Sequence, residues 1–106
     1  YERAADVFVL KLVKTGGIQN AVTISEIAAS AGIRCVVTST YDTQINGAVC
    51  LHLASSLPVS TMSNDITCYA TQPDMADTCH VLKDGYLTVG DEAGIGVRSL
   101  KEMKIV

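Results

Sequence analysis

The chain has 106 residues, 48% of them hydrophobic, with 8 Lys+Arg against 11 Asp+Glu and a formal net charge of −3. That composition describes one small globular domain at most and excludes a disordered chain. It also argues against a nucleic-acid binder, because the eight cations form no cluster in sequence, and no apolar stretch approaches the roughly 20 residues of a membrane-spanning helix. In chain order, residues 6–12 (Asp-Val-Phe-Val-Leu-Lys-Leu) read as a buried strand, being short, apolar and rich in β-branched and aromatic side chains. Thr15-Gly16-Gly17 then turns the chain. Residues 18–31 follow with helical periodicity: Ile18, Ala21, Val22, Ile24, Ala28, Ala29 and Ala31 share one side, with Ser25 inside the stripe and Ile27 outside it. Gly32 stands where a C-terminal cap belongs.

A second buried strand is expected over 33–38, a polar loop over 39–46, and a second helix from about Gly47 to Leu57, ended by Pro58. This strand–helix–strand–helix order predicts parallel strands joined by right-handed crossovers. Residues 65–69 read as a short strand, and 80–89 as a hairpin turning at Asp84-Gly85. Gly90 to Gly96 is a glycine-punctuated loop, and Ser99 to Met103 a last turn of helix. Two βα units and a third strand cannot close a barrel, which needs eight strands and about 250 residues. Tyr1 in place of an initiator Met, and the lack of a signal-peptide pattern, add to the expectation of a piece of a longer chain.

The four cysteines, Cys35, Cys50, Cys68 and Cys79, read as ordinary buried thiols rather than a disulfide framework. A reducing, cytoplasmic location is the corresponding expectation. Cys79-His80 lacks the second spaced pair that a zinc site requires. Gly16-Gly17 reads as a tight turn, since a phosphate cradle would need further glycines or a Lys-Ser/Thr.

The phrase Leu10-Lys11-Leu12-Val13-Lys14-Thr15-Gly16-Gly17, followed by an Ala-rich helix ending Ala31-Gly32-Ile33, resembles the sixth βα unit of the enolase superfamily, in its muconate-lactonizing-enzyme subgroup. Three further segments are similar to that family in the same order: 52–58 (His-Leu-Ala-Ser-Ser-Leu-Pro), 64–66 (Asn-Asp-Ile), and Asp84-Gly85-Tyr86-Leu87 with Gly94-Ile95-Gly96-Val97. The resemblance implies an α/β fold, the C-terminal portion, about strands six to eight, of a (β/α) TIM-type barrel of the enolase C-terminal-domain-like kind. The whole of 1–106 would be one partial barrel domain: βα units at 1–32 and 33–58, then the last strand, hairpin and C-terminal segment at 59–106. The implied parent is a Mg²⁺-dependent isomerase that abstracts the proton α to a substrate carboxylate, forming a metal-stabilised enolate. Racemases, epimerases and cycloisomerases all work this way in the family. The metal-holding carboxylates and a second lysine belong to strands upstream of these residues, so no metal ligand is assigned here. The implied partners are a small-molecule carboxylate and, for the full-length enzyme, copies of itself.

Lys11 is, by resemblance, the strand-six acid/base lysine. Without the motif it reads as a lysine that snorkels from a strand end into solvent. Lys14 falls in the turn as a structural or solvated charge. Ser39, Thr40 and Asp42 lie in the loop after the second strand, on the face from which a barrel enzyme touches substrate. Asp42 reads either as a substrate contact or as a cap of its own loop or the following helix. Asp65 matches a strand-eight substrate contact. Dipeptide epimerases carry Asp-x-Asp there, whereas this chain reads Asn64-Asp65-Ile66, which points to acylated or alkylated amino acids or unsaturated diacids. His52 is expected outside, in a structural role, and His80 at the surface or in packing. The rival reading is a non-catalytic half-barrel that pairs with a complementary chain. A flavodoxin-like domain fits less well, for lack of a phosphate loop.

Overall fold

The computed structural model describes residues 4–57, 62–71 and 75–101. Pro58, and the end of the helical turn expected over 99–103, lie outside the described residues. The order is β1 (Val7–Leu10), α1 (Leu12–Thr15), α2 (Ile18–Ser30), β2 (Arg34–Val37), α3 (Gln44–Ser56), α4 (Cys68–Thr71), β3 (Ala76–Thr78), β4 (Val81–Lys83), β5 (Tyr86–Thr88) and β6 (Val97–Leu100). The class is α/β. β1 and β2 pair in parallel, with Val7 opposite Arg34 and Leu10 opposite Val37. Thr38 and Asp65 then form a single parallel bridge.

The first strand is shorter than expected. It stops at Leu10, and the chain winds at once into α1, so that the carbonyl of Lys11 accepts the N–H groups of Lys14 (2.8 Å) and Thr15 (2.9 Å). Lys14 therefore belongs to a helical turn and not to the Gly16-Gly17 turn. α2 presses Ala21, Ser25 and Ala28 inward, small side chains that let the helix sit close to the sheet. The Ser25 hydroxyl is satisfied by the Val22 carbonyl at 2.7 Å. Ile18 was expected on the buried stripe but is half-exposed, and Ile27 is exposed as its position outside the stripe predicts. The helix ends where Gly32 predicts: the N–H of Gly32 reaches the Ala29 carbonyl and that of Ile33 the Ala28 carbonyl, the paired bonds of a Schellman cap.

α3 begins at Gln44, three residues before the expected start, so the first turn is built from residues that read as polar loop. It is buried on two sides, with Gln44, Gly47, Ala48, Cys50, Leu51, Leu53 and Ala54 all covered. One side joins Leu12, Ala21 and Val37 in the main core. The other meets α4, where Gly47 leaves room for the Cys68 thiol and the Tyr69 ring.

Residues 65–69 do not make a strand. Only Asp65 is paired, through one bridge, and the chain coils into α4 three residues later. The β4–β5 hairpin turns at Asp84-Gly85 as expected, both with positive φ (51° and 80°), the type I′ geometry that suits the twist of two strands. The expected helical turn at the C-terminal end is instead β6, antiparallel to β3, a strand with no reading in the sequence. Three-residue β3 carries one buried side chain, Ala76, too little periodicity to detect.

His80 fastens the 90–96 loop. Its Nδ1 accepts the Gly90 N–H (3.1 Å), so Nε2 carries the proton and donates to the Ile95 carbonyl (2.8 Å). Its role is packing, as one of the two expectations had it, and it is buried rather than at the surface. The His52 ring meets it edge-on at 5.4 Å. His52 Nε2 is buried without a partner among the described residues.

Cys35, Cys50, Cys68 and Cys79 are free thiols, the first three buried. Burial, then the Asp42 carboxylate and Cys68, push the Cys50 thiol up to about 11. A thiol reagent such as Ellman's should accordingly titrate one cysteine quickly in the native protein, Cys79, and the other three of this segment only after unfolding. Rapid native reaction at Cys50 or Cys68 would contradict this packing. Among the described residues no helix is long and apolar enough to cross a membrane.

Among the described residues β1 has no partner on its other edge, and Val9, Val81, Leu82, Tyr86 and Leu100 are exposed. An unpaired edge beside exposed apolar side chains favours association. The isolated 106-residue polypeptide should therefore self-associate in size-exclusion chromatography with light scattering and bind a hydrophobic dye. A dye-silent monomer of 11.2 kDa would show that these surfaces are tolerated in water.

Candidate functional site

Three parallel segments end side by side. Continuing the β1–β2 register places Lys11 opposite Thr38, whose N–H donates to the Leu10 carbonyl at 3.0 Å. Asp65 lies beyond Thr38, its N–H bonded to the Val37 carbonyl (3.0 Å) and its own carbonyl accepting the Ser39 N–H (2.8 Å). Lys11, Thr38 and Asp65 thus form one row, with Lys11 and Asp65 separated by two strand spacings, roughly 10 Å. The row sits at the C-terminal end of the strands, the end at which α/β folds gather ligands.

Each expected residue finds a definite place. Lys11 is half-buried, with its backbone clamped between β1 and α1. Ser39 is buried, and its hydroxyl lies 3.4 Å from the Asp65 carbonyl, so it braces the strand end. Thr40 is half-buried, and its N–H donates to Asp42 Oδ2 at 2.6 Å. Asp42 holds its own loop and does not cap α3: Thr43 is the N-cap residue and makes no side-chain cap bond. Burial pushes the Asp42 carboxyl up, but the Thr40 and Asn46 hydrogen bonds and the charge of Lys11 outweigh it, leaving the group below the usual carboxylate range. It is ionised at neutral pH beside a lysine. Asp65 is exposed, with Oδ2 3.2 Å from the Thr38 hydroxyl.

Two residues of the site carry no reading from the sequence. Thr38 shares its one hydroxyl proton between the Ser39 carbonyl (2.9 Å) and Asp65 Oδ2 (3.2 Å), and Asn46 donates to Asp42 Oδ2 at 2.8 Å. Asn46 follows Asp42 by four residues, a helical spacing that signals contact once α3 is known to start before it. Asn64 turns its side-chain oxygen to the Val37 N–H at 2.9 Å, so it serves the sheet.

A groove of about 700 Å³ between α3, residues 62–70 and the β4–β5 hairpin includes none of Lys11, Ser39, Thr40, Asp42 or Asp65. The strand-end row is the stronger candidate because its side chains carry the chemistry. Among the described residues no group of three His, Cys, Asp or Glu side chains could hold a metal ion. The described strand-end residues offer an amine, hydroxyls and carboxylates, and do not fit a magnesium site of their own.

Comparison with known proteins gives the family. Residues 1–103 match the family described as enolase C-terminal domain-like. The L-Lys-D/L-Arg epimerase of Methylococcus capsulatus is 31% identical over 94 residues, 89% of this chain and 26% of the relative. The chloromuconate cycloisomerase of Cupriavidus necator is 39% identical over 57 residues, 54% of this chain and 15% of the relative. A crystal structure of the Methylococcus capsulatus dipeptide epimerase, complexed with Mg and the dipeptide L-Arg-D-Lys, superposes with a TM-score of 0.80 at 33% identity, covering 89% of this chain and 27% of that one. The chain spans about a quarter of the length of the epimerase relative. With a match that runs through nearly all of its residues, the chain belongs to the enolase C-terminal domain-like family, whose members here are epimerases and cycloisomerases of the enolase superfamily.

Proposed function

We propose that the protein carrying this chain is a magnesium-dependent isomerase that removes the proton α to a substrate carboxylate and returns one, as a racemase, epimerase or cycloisomerase. In this reading the three strand ends are those of strands six to eight of a (β/α) barrel, with βα units at 1–32 and 33–58 and the closing segment at 59–106. The observation that carries it is the row of Lys11, Thr38 and Asp65, with ionised Asp42 beside it.

The chemistry assigned to this segment is short. In this role Lys11 accepts the α-proton at Nζ, and the electron pair left behind spreads into the carboxylate as an enolate. The ammonium so formed stands next to Asp42 and can return the proton to carbon. Thr40, Asp42 and Asp65 line the approach and orient the substrate, while Ser39 secures the strand end from beneath. Bound magnesium would supply positive charge for the enolate, from ligands outside the described residues. Proton transfer on the opposite face needs a second base from the rest of the barrel.

The lack of Asp-x-Asp at Asn64-Asp65-Ile66, where the Asn64 side-chain oxygen accepts the Val37 N–H, supports acylated or alkylated amino acids, or an unsaturated diacid, over dipeptides. The test is the natural protein with Mg²⁺ in D₂O, offered N-acyl amino acids, dipeptides and a muconate, followed by ¹H NMR. Loss of the α-proton signal or lactone formation with one class supports the reading. Neither reaction with any of them argues instead for a non-catalytic half-barrel that pairs through the open β1 edge.

A further inference from the structure

Asn46 stands in the first turn of α3 and reaches back four residues to Asp42. Its Nδ2 donates to Asp42 Oδ2 at 2.8 Å, and the same oxygen accepts the Thr40 N–H at 2.6 Å. A carboxylate only accepts, so its presence fixes the NH₂ edge of the amide toward it. Asn46 Nδ2 also lies 3.8 Å from Cys50 Sγ, one turn further along the helix. The amide is therefore set between a carboxylate and a fully buried thiol. Of the two groups that bind Asp42 Oδ2, Thr40 moves with the loop, whereas Asn46 belongs to a 13-residue helix packed in the core. Thr43, the N-cap, gives α3 no side-chain hold on this loop. Both of these bonds fall on Oδ2, and the Thr40 side chain also hydrogen-bonds the carboxylate.

We infer that Asn46 is a positioning residue: it ties the Asp42 carboxylate to α3 so that it remains a fixed acceptor beside Lys11, for the lysine ammonium or for an N–H or O–H on the substrate. The inference rests on the isomerase reading for its effect on rate, and on geometry alone for its effect on Asp42. A carboxylate freed from α3 loses a defined place at the site, and misplacement of about 1 Å can cost on the order of 10²-fold in rate.

Helix structure alone predicts a different outcome from positioning. An acid in the first turn of a helix is favourable, so a merely structural Asn46 tolerates Asn46→Asp, whereas a positioning Asn46 does not, because the new carboxylate faces Asp42. In the natural protein, Asn46→Ala should lower kcat/KM for α-proton exchange roughly 10–100-fold. Asn46→Asp should lose more than Asn46→Ala at pH 8, and the gap should narrow toward pH 5 as one of the two acids protonates. In an Asp42→Ala background, Asn46→Ala should cost less than about twofold further, since the two act as a unit. Equal losses in both backgrounds, or an Asn46→Asp variant with wild-type rates, would overturn the inference. Should the unmodified protein exchange no α-proton, the isomerase reading fails separately. The deciding readout is then the ¹³C NMR titration of the Asp42 carboxyl, whose midpoint should rise in Asn46→Ala, and an unmoved midpoint would overturn the inference.

Discussion

Replacing Lys11 by Ala should lower α-proton exchange by roughly 10²–10⁴-fold, the range a positioned acid–base group contributes, with KM changed far less. Lys11→Arg should be nearly as poor, although it keeps the charge and most of the length, because a guanidinium does not release its proton at working pH. This separates the catalytic role from that of a solvated lysine, which tolerates arginine. Lys14→Ala removes an exposed side chain on α1 and should leave exchange at its wild-type rate. The expectation rests on how Lys11 is held. Its N-terminal neighbour is locked in the parallel pair, and its carbonyl is taken by two N–H groups of α1, so the side chain projects from backbone that has little freedom to shift. Wild-type exchange in Lys11→Arg, followed by ¹H NMR in D₂O, would remove Lys11 from the proton path.

The largest stability effect should come from Gly96→Ala. Gly96 has φ of 69°, and a Cβ there would lie 2.4 Å from the Cys79 sulfur and 2.9 Å from Cε1 of His80. The left-handed backbone costs about 1–2 kcal/mol for an L side chain and overpacking about 1–3 more, so a loss of roughly 2–5 kcal/mol is expected. Gly94 is the control. Its φ is 71°, yet nothing lies within 4 Å of its Cβ position, so Gly94→Ala should show only the backbone share, about 1–2 kcal/mol. Urea midpoints at constant m-value measure both. Equal losses would mean that the contact of Gly96 with Cys79 and His80 contributes nothing.

Much of the first half was legible because it is built from long periodic segments. β1, α2 and β2 announce themselves through apolar runs and a stripe of small residues, Gly32 marks the end of α2, and Lys11 falls within one residue of a strand end. The Asp84-Gly85 turn is equally local, since its backbone is dictated by those two residues. The start of α3 was not legible, because Gln44, Ile45 and Asn46 look like loop and Thr43, at the N-cap position, makes no side-chain cap bond. That three-residue error concealed the Asn46–Asp42 contact. β3 and β6 carry no signal in the sequence, and 65–69 reads as a strand there, for a related reason: short segments have too few side chains to show a period, and pairing with a distant partner decides their state.

The sequence by itself determined the α/β class, the parallel pair, the family and the identity of the strand-end residues, all of which follow from local pattern and motif. Only the tertiary structure decided that Thr38 stands between Lys11 and Asp65, that Asn46 holds Asp42, and that Ser39 turns inward. The first and third depend on register between strands and on groups that meet across more than 20 residues of chain, which no local propensity encodes, and the second depends on where α3 begins, a boundary set by packing.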